Sequence, residues 1–102
     1  MTRGEIWSAR VGRKQRPVLV LTRPEVLDVR DLVTVAEVTT SIRGIAAEVA
    51  VDDDEVALDQ ASVINCDGLH TVAQSSLTGY VGEVSGDTMG KVCSAINHAL
   101  GC

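Results

Sequence analysis

The chain has 102 residues, a formal net charge of −5 and 45% apolar residues, but only one Trp, one Tyr and no Phe. This length suits a single domain, residues 1–102, built around one aliphatic core. No apolar run approaches the roughly 20 residues of a membrane span, and MTRGEIWSAR lacks the apolar segment of a signal peptide. We therefore expect a cytoplasmic protein that makes no contact with a membrane.

The charges are distributed unevenly along the chain. Residues 1–43 hold eight of the nine cations and five acids, whereas residues 44–102 hold Lys91 alone against nine acids. A sequence pI of about 4.8 argues against non-specific binding to nucleic acids, which needs a broad positive field. The segment GRKQRPVLVLTR nevertheless gathers Arg13, Lys14 and Arg16 directly before an apolar strand. Such focused charge is consistent with a local anion-binding site.

Most of the chain has the pattern of short strands. PVLVLT is a continuous apolar run, which predicts a central strand buried on both faces with Pro17 at its first position. DLVTVAEVTT is rich in the β-branched residues that favour strands. In chain order, strands are predicted at EIWSAR (5–10), PVLVLT (17–22), DLVTVAEVTT (31–40), AAEVAV (46–51), ASVINC (61–66), LHTVA (69–73) and GYVGEVS (79–85).

The C-terminal segment changes to a helical period. Ser85 is the expected N-cap and Gly101 the expected stop of an amphipathic helix over residues about 86–100. Short consecutive strands followed by one helix indicate a mainly β fold, a small curled antiparallel sheet or barrel with the helix packed on it. The residues that recur at the spacing of one helix face are Met89, Val92, Cys93, Ile96, Ala99 and Leu100.

Neither the cysteines nor the acidic run predicts a metal site. Cys66, Cys93 and Cys102 are odd in number, have no C-x-x-C spacing, and form no zinc-binding pattern with the two histidines. We expect free thiols, with Cys93 in the core, and no metal or other cofactor. The acidic run from Asp52 to Glu55 is predicted to be a solvated turn.

Six sequence blocks occur in one order with little inserted between them: RGEIW, RPVLVLTR, VTVAEVTTSIRG, AEVAVD, SVINCDGLHTV and MGKVCSAINHALG. Together, from Arg3 to Gly101, they resemble the MazF/PemK (Kid) family of toxin endoribonucleases. The resemblance implies a small SH3-like barrel of the MazF/CcdB type, a homodimer, and metal-independent cleavage of single-stranded RNA at short sequences. It also implies a cognate antitoxin whose C-terminal segment wraps the toxin and covers its active groove.

The resemblance also assigns a catalytic pair. The family's arginine falls on Arg16 in RPVLV, and its threonine falls on Thr39 at the end of the next long strand. Thr40 is the alternative if the register slips by one residue. A guanidinium offers paired donors to the oxygens of a phosphorane, and a threonine hydroxyl can donate to a phosphate oxygen or orient the nucleophile.

Five further residues are candidates for contacting the substrate. Arg10, Arg13 and Lys14 lie in the expected loop between the first two strands, where they would guide the RNA backbone towards the catalytic arginine. Asp67 and His70, in the SVINCDGLHTV block, are the other candidates; His70 is either a residue that contacts bases or an exposed strand histidine without a role in binding.

The first loop departs from the family pattern. Many relatives carry a longer loop with a Ser-Glu-Gln-like segment, whereas SARVGRKQ contains no acid, so a loop glutamate cannot be the general base here. Glu37 lies two residues before Thr39, and the period of two puts both side chains on one face of the strand. Glu37 either pairs with a cation such as Arg16 or Arg23, or accepts the 2′-OH proton as general base.

Two other functions are compatible with the same fold. Gyrase-poisoning relatives of the CcdB type act through a C-terminal Trp-Gly-Ile tail, whereas this chain ends in HALGC. A toxin-like module without activity would only bind antitoxin or RNA. Without the resemblance, Arg16 would be interpreted as a strand-edge cation and Thr39 as a packing residue.

Overall fold

The chain folds around one antiparallel sheet, and the computed structural model describes all 102 residues. The strand order is β4-β5-β3-β2-β1-β6, and every neighbouring pair is antiparallel. The predicted mainly β fold with a C-terminal helix is therefore confirmed. The elements in chain order are β1 (Glu5–Val11), β2 (Lys14–Val20), α1 (Pro24–Leu27), β3 (Leu32–Thr39), β4 (Glu48–Ala50), β5 (Val63–Ala73), a 3₁₀ turn (Gln74–Ser76), β6 (Leu77–Glu83) and α2 (Gly86–Leu100).

The sheet must curl strongly because of how β5 and β6 are connected. Four strand spacings separate them in the sheet order, which would be about 19 Å if the sheet were flat. Only the 3₁₀ turn joins them, and the chain from Ala73 to Leu77 spans at most about 14 Å. Because the chain is too short to cross a flat sheet, the strands wrap round into a barrel-like form.

This curl gives the protein two apolar cores, one on each face of the sheet. The first core lies between the sheet and α2 and contains Ile6, Leu19, Ile64 and Val92 among its fully buried side chains. The second core fills the opposite face, where α1 closes one end. Its buried members are Ala9, Val18, Val20, Leu27, Val33, Val35 and Leu77.

β2 lies inside the sheet and is buried on both faces, as predicted. Val18 and Val20 belong to the second core, and Leu19 between them belongs to the first. The predicted position of Pro17 is wrong, because the strand begins at Lys14 and Pro17 is its fourth residue. β3 pairs with β2 only from Val18 onwards, so Pro17 lies where β2 has a single neighbouring strand. A missing N–H is tolerated at such an edge position.

The predicted loop between the first two strands is almost absent. Val11 pairs with Lys14, so a two-residue turn at Gly12 and Arg13 connects β1 to β2. Arg10 therefore lies within β1 and Lys14 within β2, which corrects their placement in a loop. Because side chains alternate between the two faces of each strand, the strand position of each cation determines whether its side chain lies on the same face as the core valines.

β5 is one strand of eleven residues, where the sequence predicted two. The pairing with β3 shifts between Ala36, opposite Leu69, and Glu37, opposite Asn65, so residues 66–68 bulge out of the ladder. The Asp67-Gly68 pair, which separates the two predicted strands, belongs to this bulge. A bulge of this kind bends a strand without ending it.

Helix α2 begins and ends where predicted. The Ser85 hydroxyl accepts a hydrogen bond from the Thr88 N–H at 3.2 Å, and Gly101 has a φ of 72°. The prediction that Cys93 lies in the core is wrong, because its side chain is exposed. The buried face is centred on Val92, and the next residue lies about 100° further round the helix. Leu100, at the end of the helix, is also exposed.

The acidic run is only partly a solvated turn. Asp52 to Asp54 are exposed, whereas Glu55 is half-buried and accepts hydrogen bonds from the Thr88 hydroxyl at 3.0 and 2.9 Å. Glu55 thereby attaches the segment after β4 to the first turn of α2. Neither helix has both the length and the apolar character that are required to cross a bilayer.

Candidate functional site

Alternation along the strands brings the polar candidates to one face of the sheet. On β2, Arg16 lies two residues before Val18, and on β3, Glu37 lies two residues after Val35. Both valines belong to the second core. The Arg16 and Glu37 side chains therefore lie on the same face of the sheet as this core. Thr39 follows in the same phase, as predicted from the period of two.

These side chains line one depression of about 190 Å³ at the end of the second core. None of its lining residues is apolar; they are Arg16, Glu37, Thr39, Ser41, Arg43 and Asn65. We refer to it as the polar pocket. Thr40, the alternative for the catalytic threonine, lines a different depression with Pro17 and Asp59. The predicted pair of Arg16 and Thr39 therefore shares one site, and Thr40 does not.

A carboxylate lies between a guanidinium and an imidazole at the edge of this pocket. Arg16 Nη1 is 3.6 Å from Glu37 Oε1, and His70 Nε2 is 3.6 Å from Glu37 Oε2. His70 Nε2 is buried and has no hydrogen-bond partner. The predicted pairing of Glu37 with Arg16 is present, whereas Arg23 pairs with Glu25 on the surface. At 3.6 Å the interaction is electrostatic and leaves the Arg16 donors unbonded.

The bulge of β5 makes room for the Glu37 carboxylate. A Cβ atom added to Gly68 would lie 2.6 Å from Glu37 Oε2 and 3.0 Å from Asn65 Nδ2. A larger residue at this position would therefore displace the ends of the Glu37 and Asn65 side chains from their observed positions. Asp67 beside it is exposed, and its backbone N–H donates to Asn65 Oδ1 at 3.0 Å. The bulge thus lies behind Glu37 and Asn65, whereas Asp67 does not line the pocket.

A second arginine enters the pocket from the segment after β3. Arg43 Nε lies 3.3 Å from Glu48 Oε2, and the Glu48 carboxylate also accepts from the N–H groups of Arg43 and Gly44. The Glu48 side chain is only 3% exposed. Burial opposes its ionisation, yet these donors hold the pKa of Glu48 below its ordinary value. Glu48 is therefore an anion that fixes the shape of this segment.

The remaining cations differ in their relation to the pocket. Lys14 lies two residues before Arg16 on β2 and shares its face, and Arg13 lies at the tip of the hairpin. Arg10 pairs with Gln15, so it lies on the opposite face of the sheet from Arg16. The structure therefore brings Lys14 alone to the face of the pocket.

Ser41, Arg43 and Asn65 were missed by the sequence analysis. Ser41 and Arg43 follow the end of β3 in TTSIRG. A polar segment directly after a predicted strand is a weak indication of a site, and the sequence contained it. Asn65 lies on β5, and only its register opposite Glu37 brings it to the pocket. No three histidine, cysteine or acidic side chains come together in a group that could hold a metal ion.

Comparison with known proteins gives one consistent family. Residues 2–100 match the model of the PemK-like, MazF-like toxin of type II toxin–antitoxin systems. The chain is 33% identical over 103 residues to a probable endoribonuclease, MazF5, of Mycobacterium tuberculosis, covering 98% of this chain and 93% of that protein.

Two solved structures have the same fold. The Mycobacterium tuberculosis toxin MazF-mt6 superposes with a TM-score of 0.88 at 37% identity, covering 95% of this chain and 96% of that one. An endoribonuclease from a mycobacterial species, in complex with its cognate antitoxin, gives a TM-score of 0.90 at 29% identity, covering 99% and 95%. Because the family match spans nearly the whole chain and the fold agrees, this protein belongs to the PemK-like, MazF-like family of toxins of type II toxin–antitoxin systems.

Proposed function

We propose that this protein is a toxin endoribonuclease that cleaves single-stranded RNA in the polar pocket and thereby inhibits translation and growth. One observation carries the proposal: Arg16 and Thr39, which lie on different strands, line the same pocket, in which every side chain is polar. The relative named as an endoribonuclease supports the same chemistry. Because this relative is named as an endoribonuclease, the alternative function of a gyrase poison is not favoured.

The reaction requires no external nucleophile. The ribose 2′-oxygen attacks its own 3′-phosphorus and loses its proton, and the bond from phosphorus to the 5′-oxygen of the next nucleotide breaks. That 5′-oxygen gains a proton, so the products carry a 2′,3′-cyclic phosphate and a 5′-OH. Negative charge builds up on the equatorial phosphorane oxygens along the way, and donors aimed at them lower the barrier.

Arg16 is suited to stabilise this charge. Its side chain is 37% exposed, so a phosphate can reach it, and it lies on a strand fixed by two cores. Its planar guanidinium offers two parallel donors to two phosphate oxygens. The Thr39 hydroxyl accepts from the Ser41 N–H at 3.1 Å, which leaves its own O–H to donate to a phosphate oxygen or to the 2′-oxygen.

Other contacts extend the site along the RNA. We propose that Lys14, on the face of Arg16, and Arg13, at the hairpin tip, contact backbone phosphates. His70, whose Nε2 lies 3.6 Å from Glu37 Oε2, and Asp67, which lies in the bulge of β5, are assigned to base contacts. We further propose a homodimer that acts in the cytoplasm and a cognate antitoxin that blocks the pocket. The antitoxin complex of a relative supports the last of these.

The test is cleavage of a long naked RNA by purified protein in EDTA, with the 5′ ends mapped and the end groups analysed. Cleavage should persist in the chelator and leave 5′-OH ends. Arg16→Ala should lose more than about 10²-fold in rate, the usual cost of removing a principal transition-state donor. Arg16→Lys should restore only part of this loss, because an ammonium lacks the planar fork.

The matched control is Arg23→Ala, which removes an arginine whose only partner is the exposed Glu25. Its rate should equal that of the parent. Activity that EDTA abolishes and Mg²⁺ restores would contradict the mechanism. A folded parent protein that cleaves no RNA would favour the inactive binding module instead.

A further inference from the structure

A second guanidinium lies across the polar pocket from Arg16. Arg16 lies on β2, whereas Arg43 is attached to Glu48 on β4, and both β5 and β3 lie between these two strands in the sheet. The floor between them carries Thr39 and Asn65. An RNA strand in the pocket is therefore flanked by arginines that approach it from two different walls.

Arg43 is held in place from behind. Glu48 Oε1 accepts from the Arg43 N–H at 3.0 Å and the Gly44 N–H at 2.8 Å, while Oε2 accepts from Arg43 Nε at 3.3 Å. The Glu48 side chain is only 3% exposed, and its two oxygens accept from three N–H groups. One acid thus fixes both the backbone and the side chain of Arg43.

The other edge of the Arg43 guanidinium is free. Its two Nη atoms form no hydrogen bond, and the side chain is 54% exposed where it lines the pocket. A guanidinium has five N–H donors, and only the one on Nε is engaged here. Because the anchor already holds the side chain, less conformational entropy is lost when the free edge binds an anion.

We propose that Arg43 binds the phosphate next to the scissile one, so that the pocket recognises two consecutive phosphates of single-stranded RNA. This inference rests on the proposed function, because it assigns a second substrate contact to the same site. Arg43 is a substrate-binding residue: it contacts a phosphate that does not react and so strengthens the binding of RNA beside Arg16. Free donors on a buried anchor are the arrangement that phosphate recognition requires.

The test uses an oligonucleotide that contains one mapped cleavage site, together with two versions carrying a single uncharged methylphosphonate linkage, either 5′ or 3′ of the cut. Arg43→Ala should raise KM about tenfold on the unmodified RNA, as expected for the loss of one charge-assisted hydrogen bond, and should change kcat little. One of the methylphosphonates should raise KM of the parent by a similar factor. That same linkage should have no further effect on Arg43→Ala, because the contact is already absent.

Two controls separate this role from loop stability. Arg30→Ala removes an exposed arginine that lines a different depression, and it should leave KM unchanged. Thermal unfolding by circular dichroism checks that Arg43→Ala is folded. Glu48→Gln, which keeps a hydrogen-bond acceptor but removes the charge, should raise KM less than Arg43→Ala.

The outcomes distinguish this inference from the proposed function. If the parent cleaves RNA and both methylphosphonates add their full effect to that of Arg43→Ala, the neighbouring-phosphate contact is refuted. A folded Arg43→Ala with parental KM refutes it as well. A folded parent without any cleavage refutes the proposed function itself.

Discussion

Replacing Glu37 by Gln should strengthen RNA binding. The Glu37 carboxylate lies 3.6 Å from Arg16, and it would also lie close to a phosphate that Arg16 binds. A phosphate and this carboxylate therefore compete for one guanidinium. Because Arg16 and Glu37 form no hydrogen bond with each other, the carboxylate contributes charge rather than precise orientation.

The magnitude follows from the separation and the exposure of the pair. Two unit charges 3.6 Å apart interact by about 1 kcal/mol in bulk water and about 5 kcal/mol at an effective dielectric constant of about 20. The two side chains are 37% and 20% exposed, and measured ion pairs with this degree of solvent contact are worth up to about 1 kcal/mol. Relief of this competition should lower the Kd for RNA about fivefold.

The assay is fluorescence anisotropy with an RNA that carries a 2′-deoxy nucleotide at the cut, so that binding is measured without cleavage. Glu25→Gln is the control, because Glu25 is an exposed acid whose arginine lies outside the pocket. Unchanged or weaker binding by Glu37→Gln would refute the competition between carboxylate and phosphate.

Since Arg16 and His70 already face the two Glu37 oxygens, we expect the pH–rate profile of Glu37→Gln to match that of the parent. Loss of its acidic limb would instead identify Glu37 as the general base.

Two further predictions concern charge. Neutralising Arg13 and Lys14 together should weaken RNA binding and flatten its dependence on salt, because phosphate contacts release counterions. The measurement is a salt titration of RNA affinity. An unchanged slope would indicate that both residues serve solubility rather than RNA binding. The Ser85 and Thr88 hydroxyls hold the pKa of Glu55 below its ordinary value of 4.5, so its contribution to stability is present above pH 4.5 and is lost as the pH falls through the lower folded value. Glu55→Gln should therefore show a smaller loss of stability than the parent in denaturant titrations below pH 4.5, and parallel curves would contradict this.

The sequence allowed the elements to be predicted better than their detailed geometry. The β-branched segment and the helical period located β3 and α2 to within one residue at each end, whereas the continuous apolar run identified β2 but placed its start three residues too late. The phase of α2 could not be set to within one residue, which is why Cys93 was assigned to the core. Asp67-Gly68 is a turn signal in isolation, and only the register of β5 against β3 makes it a bulge.

The candidate site was predicted as far as it lies on regular strands. Arg16, Glu37 and Thr39 follow from the resemblance and the period of two. Arg43 and Asn65 could not be found in this way, because they reach the pocket through an irregular segment and a shifted register. No local pattern encodes the contact between Glu48 and the backbone that follows β3.

The pocket also explains how a chain of net charge −5 can present an anion site. Each of its arginines has one carboxylate close by, Glu37 beside Arg16 and Glu48 beside Arg43. The two carboxylates differ in consequence. Glu48 is buried and bonded to the backbone, so it stays in place and orients its arginine. Glu37 is partly exposed and forms no hydrogen bond, so we expect a bound phosphate to replace it as the main anionic partner of Arg16. One carboxylate therefore orients its arginine, and we expect the other to limit how tightly the proposed site holds RNA.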